Sequence, residues 1–480
     1  MITATWVIPL GIGALALISF ILPRARIAWT GSLALFYLIA ALIAQAAHLL
    51  TTSGPLSGWL FLTMAVFSIF GLWYSVPYIE REAREHGWSL AQVRIYYGFF
   101  LIFVASLIAL GIWTNFLYLW IAMEVATLSS VVLVAVPKQS RSLEAAWKYV
   151  MVTEVGGLIA LLGTVLALAA AHIPLWSWHP SAATASLNVV HQRWALIGAL
   201  LALIGYATKA GLAPFHTWLP DAHSEAPSPV SALLSGLKLA GGVVIIYRLD
   251  LVLSHIVPVD VLKDSLILLG LFSLVVAAAF VGFQRDLKRL WAYSSIEHIG
   301  LIALGVGFGG IALIGAALHI WTHAATKTLL FHNAGTVRLL YHTSTTHEGA
   351  RAVLTRTPWS GGLLALGAAA VVGLPPFAPF WSEWLILAGG FHVASDRPFA
   401  FIAAGLLIVI FIALAKRIPE WLFTPGPADA PPRHPIREPA VLIAPSALLA
   451  VLVLVGGVGL PLLVHPLWTQ LTAHLGQVNL

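Results

Sequence analysis

Seven ionisable side chains stand inside long apolar stretches of this sequence: Glu124, Lys209, Lys238, His319, His323, Lys327 and Glu383. A charge at the centre of a bilayer costs about 2.5–3.5 kcal/mol on insertion scales, so one retained there has a partner or a task. Lysines, carboxylates and imidazoles share one chemistry in that setting, the binding and release of protons. Glu124, in LYLWIAMEVATLSS, lies well into its apolar run, about 15 Å deep at 1.5 Å per residue, with no charged neighbour within a turn. A carboxylate there must pair or protonate, and Lys209 is its natural cross-helix partner. The pair is either a fixed packing contact or a switch, in which separation from Glu124 leaves the lysine desolvated and drives its proton off. Lys238, inside the next apolar run, is the next proton station, the other reading being a lysine that snorkels to the nearer face.

His319, His323 and Lys327 fall at i, i+4 and i+8 and so share one helix face. That spacing suits a proton wire, because imidazole titrates near neutrality; structural hydrogen bonding is the plainer reading. Two histidines one turn apart also match zinc spacing, but no third ligand or HExxH context accompanies them, so no metal site is expected. Glu383 is the terminal acid. Glu297 and His298, in AYSSIEHIG, are a branch or a cytoplasmic entry, or pack structurally.

The elements that position these groups follow from composition. The 480 residues are 60% hydrophobic and 9% charged, with mean hydropathy +0.92, whereas soluble domains carry about 25% charged residues. This is an all-α polytopic membrane protein. With no cysteine it holds no cysteine-ligated iron–sulfur cluster and no disulfide, so any electron transfer occurs on partners. The net charge of +6 sits in short loops between apolar runs, a topology signal and not a nucleic-acid patch. Nineteen tryptophans fit interfacial belts.

A membrane-crossing helix needs about 20 residues, and fourteen apolar runs are long enough: 2–22, 28–50, 57–79, 95–113, 114–136, 144–172, 194–220, 230–253, 259–283, 290–306, 309–333, 360–390, 399–422 and 440–465. The first is expected to be a retained helix and not a removed signal peptide. Alternate connections carry the cations, among them Arg81, Arg84, Arg94, Lys138, Arg141, Lys148, Arg285, Lys288, Arg289, Arg338, Lys416, Arg417 and Arg433; the opposite ones hold chiefly Arg193, Lys263 and Arg397. The positive-inside rule makes the first set cytoplasmic and both termini external. The connection from Thr424 to Pro439 is too short for a domain. Gly211-Leu212-Ala213-Pro214-Phe215 recurs as Gly373-Leu374-Pro375-Pro376-Phe377, each copy interrupting an apolar helix near an ionisable residue. Paired broken helices mark an ion pathway between structural repeats.

Four separated stretches, PFHTWLPDAHSEAPSPVSALLSG (214–236), KRLWAYSSIEHIG (288–300), HIWTHAATKTLLF (319–331) and GLPPFAPFWSEWLIL (373–387), resemble the proton-translocating, antiporter-like membrane subunits of respiratory complex I, Mrp antiporters and energy-converting hydrogenases. The SIEHIG motif and the absence of a long lateral C-terminal helix favour the branch of hydrogenase-4 component F. The resemblance implies fourteen helices with two inverted five-helix repeats, 94–253 and 259–422, flanked by 2–79 and 440–465 in one integral membrane domain. It implies a hydrated polar axis in which Glu124 modulates Lys209, the row His319, His323 and Lys327 relays, and Glu383 ends the path. Two departures stand out. Relatives place the linking lysine where this chain has Ala240, so Lys238 needs a local distortion to aim at the axis, and Glu154 occupies a position expected to be small and polar.

The function expected is proton translocation within a multisubunit redox complex of the bacterial or archaeal inner membrane, with other membrane and peripheral subunits, protons and lipid as partners and no cofactor in this chain. It is an enzyme only as a subunit of an oxidoreductase complex. The alternatives are a subunit of a cation/proton antiporter or inorganic-carbon uptake complex, and a nonconducting scaffold, which would not need a row of buried titratable groups.

Overall fold

Short polar caps between apolar runs set the helix boundaries. Asn115 Oδ1 accepts from the backbone N–H of Leu117 and Tyr118, and Asp286 Oδ1 from that of Arg289, satisfying donors that have no partner within the helix. The computed structural model describes residues 2–52, 55–174, 188–254, 256–257, 259–346, 349–425 and 436–463, and no β-strand occurs among them.

The helices in order are α1 (Ile2–Ser19), α2 (Arg24–Thr52), α3 (Pro55–Glu85), α4 (Leu90–Ile112), α5 (Phe116–Ala135), α6 (Ser140–Ala170) and α7 (Val189–Ala210). After a break come α8 (Leu219–Glu225), α9 (Ser228–Leu233), a π-turn (Leu234–Lys238) and α10 (Leu239–Leu253). They are followed by α11 (Val259–Phe280), α12 (Leu287–Phe308), α13 (Gly310–Tyr341) and α14 (Val353–Arg356). The last are α15 (Pro358–Val371), α16 (Ala378–His392), α17 (Arg397–Arg417), α18 (Pro419–Leu422) and α19 (Ala440–Leu463).

Among the described residues ten helical spans are long and apolar enough to cross a membrane. The polar residues in the middle of α12 and α13 dilute their hydropathy, and α1 and α15 are short apolar helices. The run expected to end at 333 continues to Tyr341 in α13, because His332, Asn333 and Thr336 are buried and the helix has a polar interior to enter. Part of the connection from Thr424 to Pro439, including Arg433, lies outside the described residues.

Packing sorts the helices into a centre and a rim. The stretch from α9 through α10 is almost wholly buried, whereas α2 and α17 present large apolar side chains such as Phe36, Ile43, Phe401 and Ile408 outward. Because lipid is as apolar as those side chains, close backbone approach holds such helices together. In α6 and α7 it comes from small residues: a Cβ at Gly163 or Gly205 would strike the backbone of Ala202 or Ala160. α3 bridges the two halves of the chain, with Trp59 Nε1 donating to Ala317 O at 2.8 Å and Tyr74 Oη to His332 O at 2.7 Å.

The two ends of the bundle differ. At one end Arg141, Lys148, Asp221, Arg289, Arg338 and His342 line a common cleft; at the other Asp260, Lys263, Asp264, His392 and Asp396 line a second. One assignment from sequence needs correction. Lys288, taken as a loop cation, is fully buried and donates to the carbonyls of Ser224 and Ala226. Those carbonyls lie at the C-terminal end of α8, where the helix end leaves acceptors that a buried donor must satisfy. Arg289 instead pairs with Asp221 at 2.6 Å.

Candidate functional site

The first cluster forms where α5, α6 and α7 meet. Lys209 Nζ lies 2.7 Å from Glu124 Oε2 and 3.5 Å from Glu154 Oε1, and also donates to Thr127 Oγ1 at 3.4 Å. The lysine side chain is 1% exposed, Glu124 11% and Glu154 34%, so the two carboxylates differ in their access to the surroundings. Gly157 makes room for the pair: a Cβ there would overlap Glu124 Oε1 and sit 2.8 Å from Lys209 Cε. Trp120 Nε1 donates to the Gly157 carbonyl at 2.9 Å and fixes α5 against α6. The anticipated partner of Lys209 is therefore present, and Glu154 is a second one.

Lys238 sits at the end of the π-turn and is fully buried, which excludes a snorkelling side chain. A π-turn admits one extra residue into the helical repeat and so rotates the helix beyond it. This is the local distortion that a lysine at 238 requires. Its Nζ donates to Tyr149 Oη at 2.8 Å and lies 4.9 and 5.0 Å from the ring centroids of Tyr149 and Trp218. Those rings stack at 4.4 Å and form an aromatic seat for the ammonium. Tyr149 Oη is also bonded to Ser130 Oγ at 2.8 Å. Ser130 stands one turn from Thr127 on α5, so hydroxyls border the interval between Lys209 and Lys238.

The same π-turn touches the second half. Ser235 Oγ meets Ser295 Oγ at 2.7 Å, and Ser235 O accepts from His323 Nε2 at 3.2 Å. His298, His319 and His323 form one buried group, with ring centroids 5.0, 5.2 and 6.2 Å apart. His298 Nδ1 and His319 Nε2 are 2.9 Å apart, and His319 Nδ1 lies 2.9 Å from Ser382 Oγ. Glu383 Oε1 stands 4.0 Å from His298 Nδ1 with its side chain 14% exposed, at the rim of the group. Gly373 enables this: its φ of 69° is left-handed, and a Cβ would overlap Glu383 Oε2. Gly211 repeats the conformation at the first break, with φ of 72°.

Three sequence expectations change. His298 packs against both His319 and His323, with ring centroids 5.0 and 5.2 Å away. A third imidazole does accompany the pair one turn apart, and it comes from α12, which spacing along α13 could not reveal. Lys327 donates to α12, to Trp291 O at 3.1 Å and Ser294 Oγ at 2.7 Å. Glu297 is buried in the same helix, with Oε2 lacking a hydrogen-bond partner. Tyr149, Ser130, Ser235, Ser294 and Ser382 were not anticipated, since hydroxyls in apolar helices usually bond their own backbone and carry no distinguishing spacing. For Ser382 the adjacent Glu383 was the available signal.

These groups make a discontinuous row of proton donors and acceptors through the packed middle of a helical membrane protein, bounded by two broken helices. Fold and row together define the class, a polytopic protein built to carry charge inside the bilayer. The family model described as NADH:quinone oxidoreductase/Mrp antiporter, transmembrane, matches residues 113–411. The chain belongs to that family. It is 34% identical over 355 residues to a hydrogenase-4 component F homolog of Methylacidiphilum infernorum, covering 72% of this chain and 73% of the relative. It is 28% identical over 379 residues to hydrogenase-4 component B of Escherichia coli, covering 75% of this chain but 53% of that longer relative. Among solved structures, a chain of the membrane-bound sulfane sulfur reductase, an archaeal respiratory membrane complex, superposes with a TM-score of 0.85 at 21% identity, covering 99% of this chain and 96% of its own length. That likeness establishes the fold.

Proposed function

We propose that this chain is the proton-translocating membrane subunit of a multisubunit redox complex of hydrogenase-4 or NADH:quinone oxidoreductase type. Electron transfer takes place in partner subunits, since this chain has no cysteine to ligate an iron–sulfur cluster. The observation that carries the reading is the buried Lys209 held at 2.7 Å by Glu124 with Glu154 at 3.5 Å. A buried ammonium holds its proton while a carboxylate is near and gives it up when that carboxylate withdraws, because desolvation disfavours the charged form.

In this reading Glu124 modulates Lys209, and Tyr149 and Lys238 receive the proton in the middle of the chain. The His323, His298 and His319 group with Lys327 relays it, and Glu383 ends the path. Water completes the gaps, consistent with the unpartnered buried atoms Glu124 Oε1, Glu297 Oε2 and His323 Nδ1. Fourteen membrane helices and two inverted repeats, 94–253 and 259–422, accompany the reading. It is supported by two glycine-led breaks of matching conformation that run in opposite senses between the two ends of the bundle. The basic end faces the cytoplasm, both termini face outward, and the host membrane is a bacterial or archaeal inner membrane.

The test is redox-driven proton uptake into vesicles holding the intact complex, wild type against Lys209→Ala, with redox turnover followed in the same samples. Pumping is expected to fall sharply in assembled complex. Unchanged assembly, turnover and pumping would make Lys209 a packing residue and the chain a scaffold.

A further inference from the structure

We propose that His298, His319 and His323 form a binding site for one transition-metal ion of the zinc class, with Glu383 beside it as a source of negative charge, and that an ion seated there blocks the proton row. One ring nitrogen from each histidine lies within 4.8 Å of the others, all three side chains are buried, and they come from two helices, α12 and α13. Tetrahedral zinc with Zn–N of about 2.0–2.1 Å sets ligand nitrogens about 3.3 Å apart, so side-chain adjustments of about an ångström or less bring the group to that geometry.

The surrounding hydrogen bonds already present the right atoms. His323 Nε2–H donates to the Ser235 carbonyl, which leaves Nδ1 as a bare lone pair, and that atom has no partner. The Ser382 hydroxyl donates to Pro379 O at 2.9 Å, so it accepts from His319 Nδ1–H and leaves His319 Nε2 bare. A ligating imidazole whose other N–H is held by a carbonyl or hydroxyl is the arrangement metal sites use to fix ring orientation. The remaining His298 Nδ1–H points at His319 Nε2, with His298 Nε2 unpartnered. Moving that proton to Nε2 frees Nδ1 with no change in charge, and the metal takes the position between the two rings. Glu383 Oε1, 4.0 Å from His298 Nδ1 on the exposed side of the group, contributes negative charge. Three imidazoles select zinc, copper, nickel or cobalt over sodium, magnesium or calcium, which prefer oxygen.

The site stands apart from the transport reading, whereas the blockade rests on it: a metal occupying Nδ1 of His323 and Nε2 of His319 removes the lone pairs a passing proton needs. The experiment has two arms. Zinc is titrated into the purified full-length chain in detergent, with bound metal counted by elemental analysis and its shell read by zinc K-edge X-ray absorption. One saturable ion per chain with an imidazole shell near 2.0 Å is expected. Ser382→Ala, which frees the His319 ring, should weaken binding by about 10–100-fold, and His298→Gln by more. No saturable site, or undiminished binding in both variants with wild-type elution and melting, overturns the proposal. In the second arm zinc is added to vesicles holding the intact complex. Inhibition of proton uptake at the occupancy measured in the first arm supports the blockade, and full uptake with the site occupied overturns it. Failure of the transport reading is distinguishable, since it appears in zinc-free vesicles and leaves the binding arm untouched.

Discussion

Lys209 with Glu124 and Glu154 is a three-centre arrangement, and the second carboxylate changes what a single substitution does. A buried ammonium stripped of its only partner costs about 3–5 kcal/mol. Here Glu154 at 3.5 Å remains when Glu124 is neutralised, so Glu124→Gln should be tolerated structurally while slowing transport. Glu124→Gln combined with Glu154→Gln removes both, and its loss of stability should exceed the sum of the single losses by about 0.5–3 kcal/mol. Unfolding in detergent measures this, and simple additivity would mean that Glu154 does not share the lysine. The spacing along α5 and α7 exposed Glu124 and Lys209 in the sequence, because charge inside an apolar run is conspicuous. Glu154 was conspicuous too, but its partner could be found only once α6 and α7 were packed.

At the scale of elements, the π-turn and the breaks decide where side chains aim. Position 238 points at Tyr149 because of the extra residue in Leu234–Lys238, and Ala240 is buried two residues on. Lys238→Ala should therefore abolish most proton transport, and adding Ala240→Lys to it should not restore transport. Inserting a long side chain at a packed alanine costs about 1–3 kcal/mol and offers no route to Tyr149. Restored pumping in the double variant would show that the linking lysine is set by depth alone and that the π-turn is incidental. The broken helices were legible as glycine–proline pairs. Their use was not: Gly373 clears space for Glu383 and Gly157 for Glu124, contacts across a break and across a helix pair that no local pattern encodes.

For the whole molecule, the cationic end formed by Arg84, Arg141 and Arg289 opposes an end carrying Lys263, His392 and Asp396. The absence of native cysteine gives a labelling test free of background. Arg84→Cys should react with a membrane-impermeant maleimide only from the cytoplasmic side, and Asp396→Cys only from outside. The opposite pattern would invert the orientation proposed from the positive-inside rule and with it the sense of proton movement. α3 ties the halves together through Trp59 and Tyr74, so a disturbance at one broken helix has a packed route to the other.

The sequence by itself determined the solvent of this protein, the approximate extent of its membrane helices, the two breaks and the identity of most buried titratable residues. Each is a local property, since hydropathy, proline and charge act within a few turns of chain. Tertiary packing decided which of those residues meet. It paired Lys209 with two carboxylates, seated Lys238 against a stacked pair of aromatic rings through a π-turn, turned Lys327 toward α12, and brought His298 from another helix against both His319 and His323. A helix fixes neighbours three and four residues apart, whereas its partners across the bundle depend on rotation and depth, which only the packed structure sets.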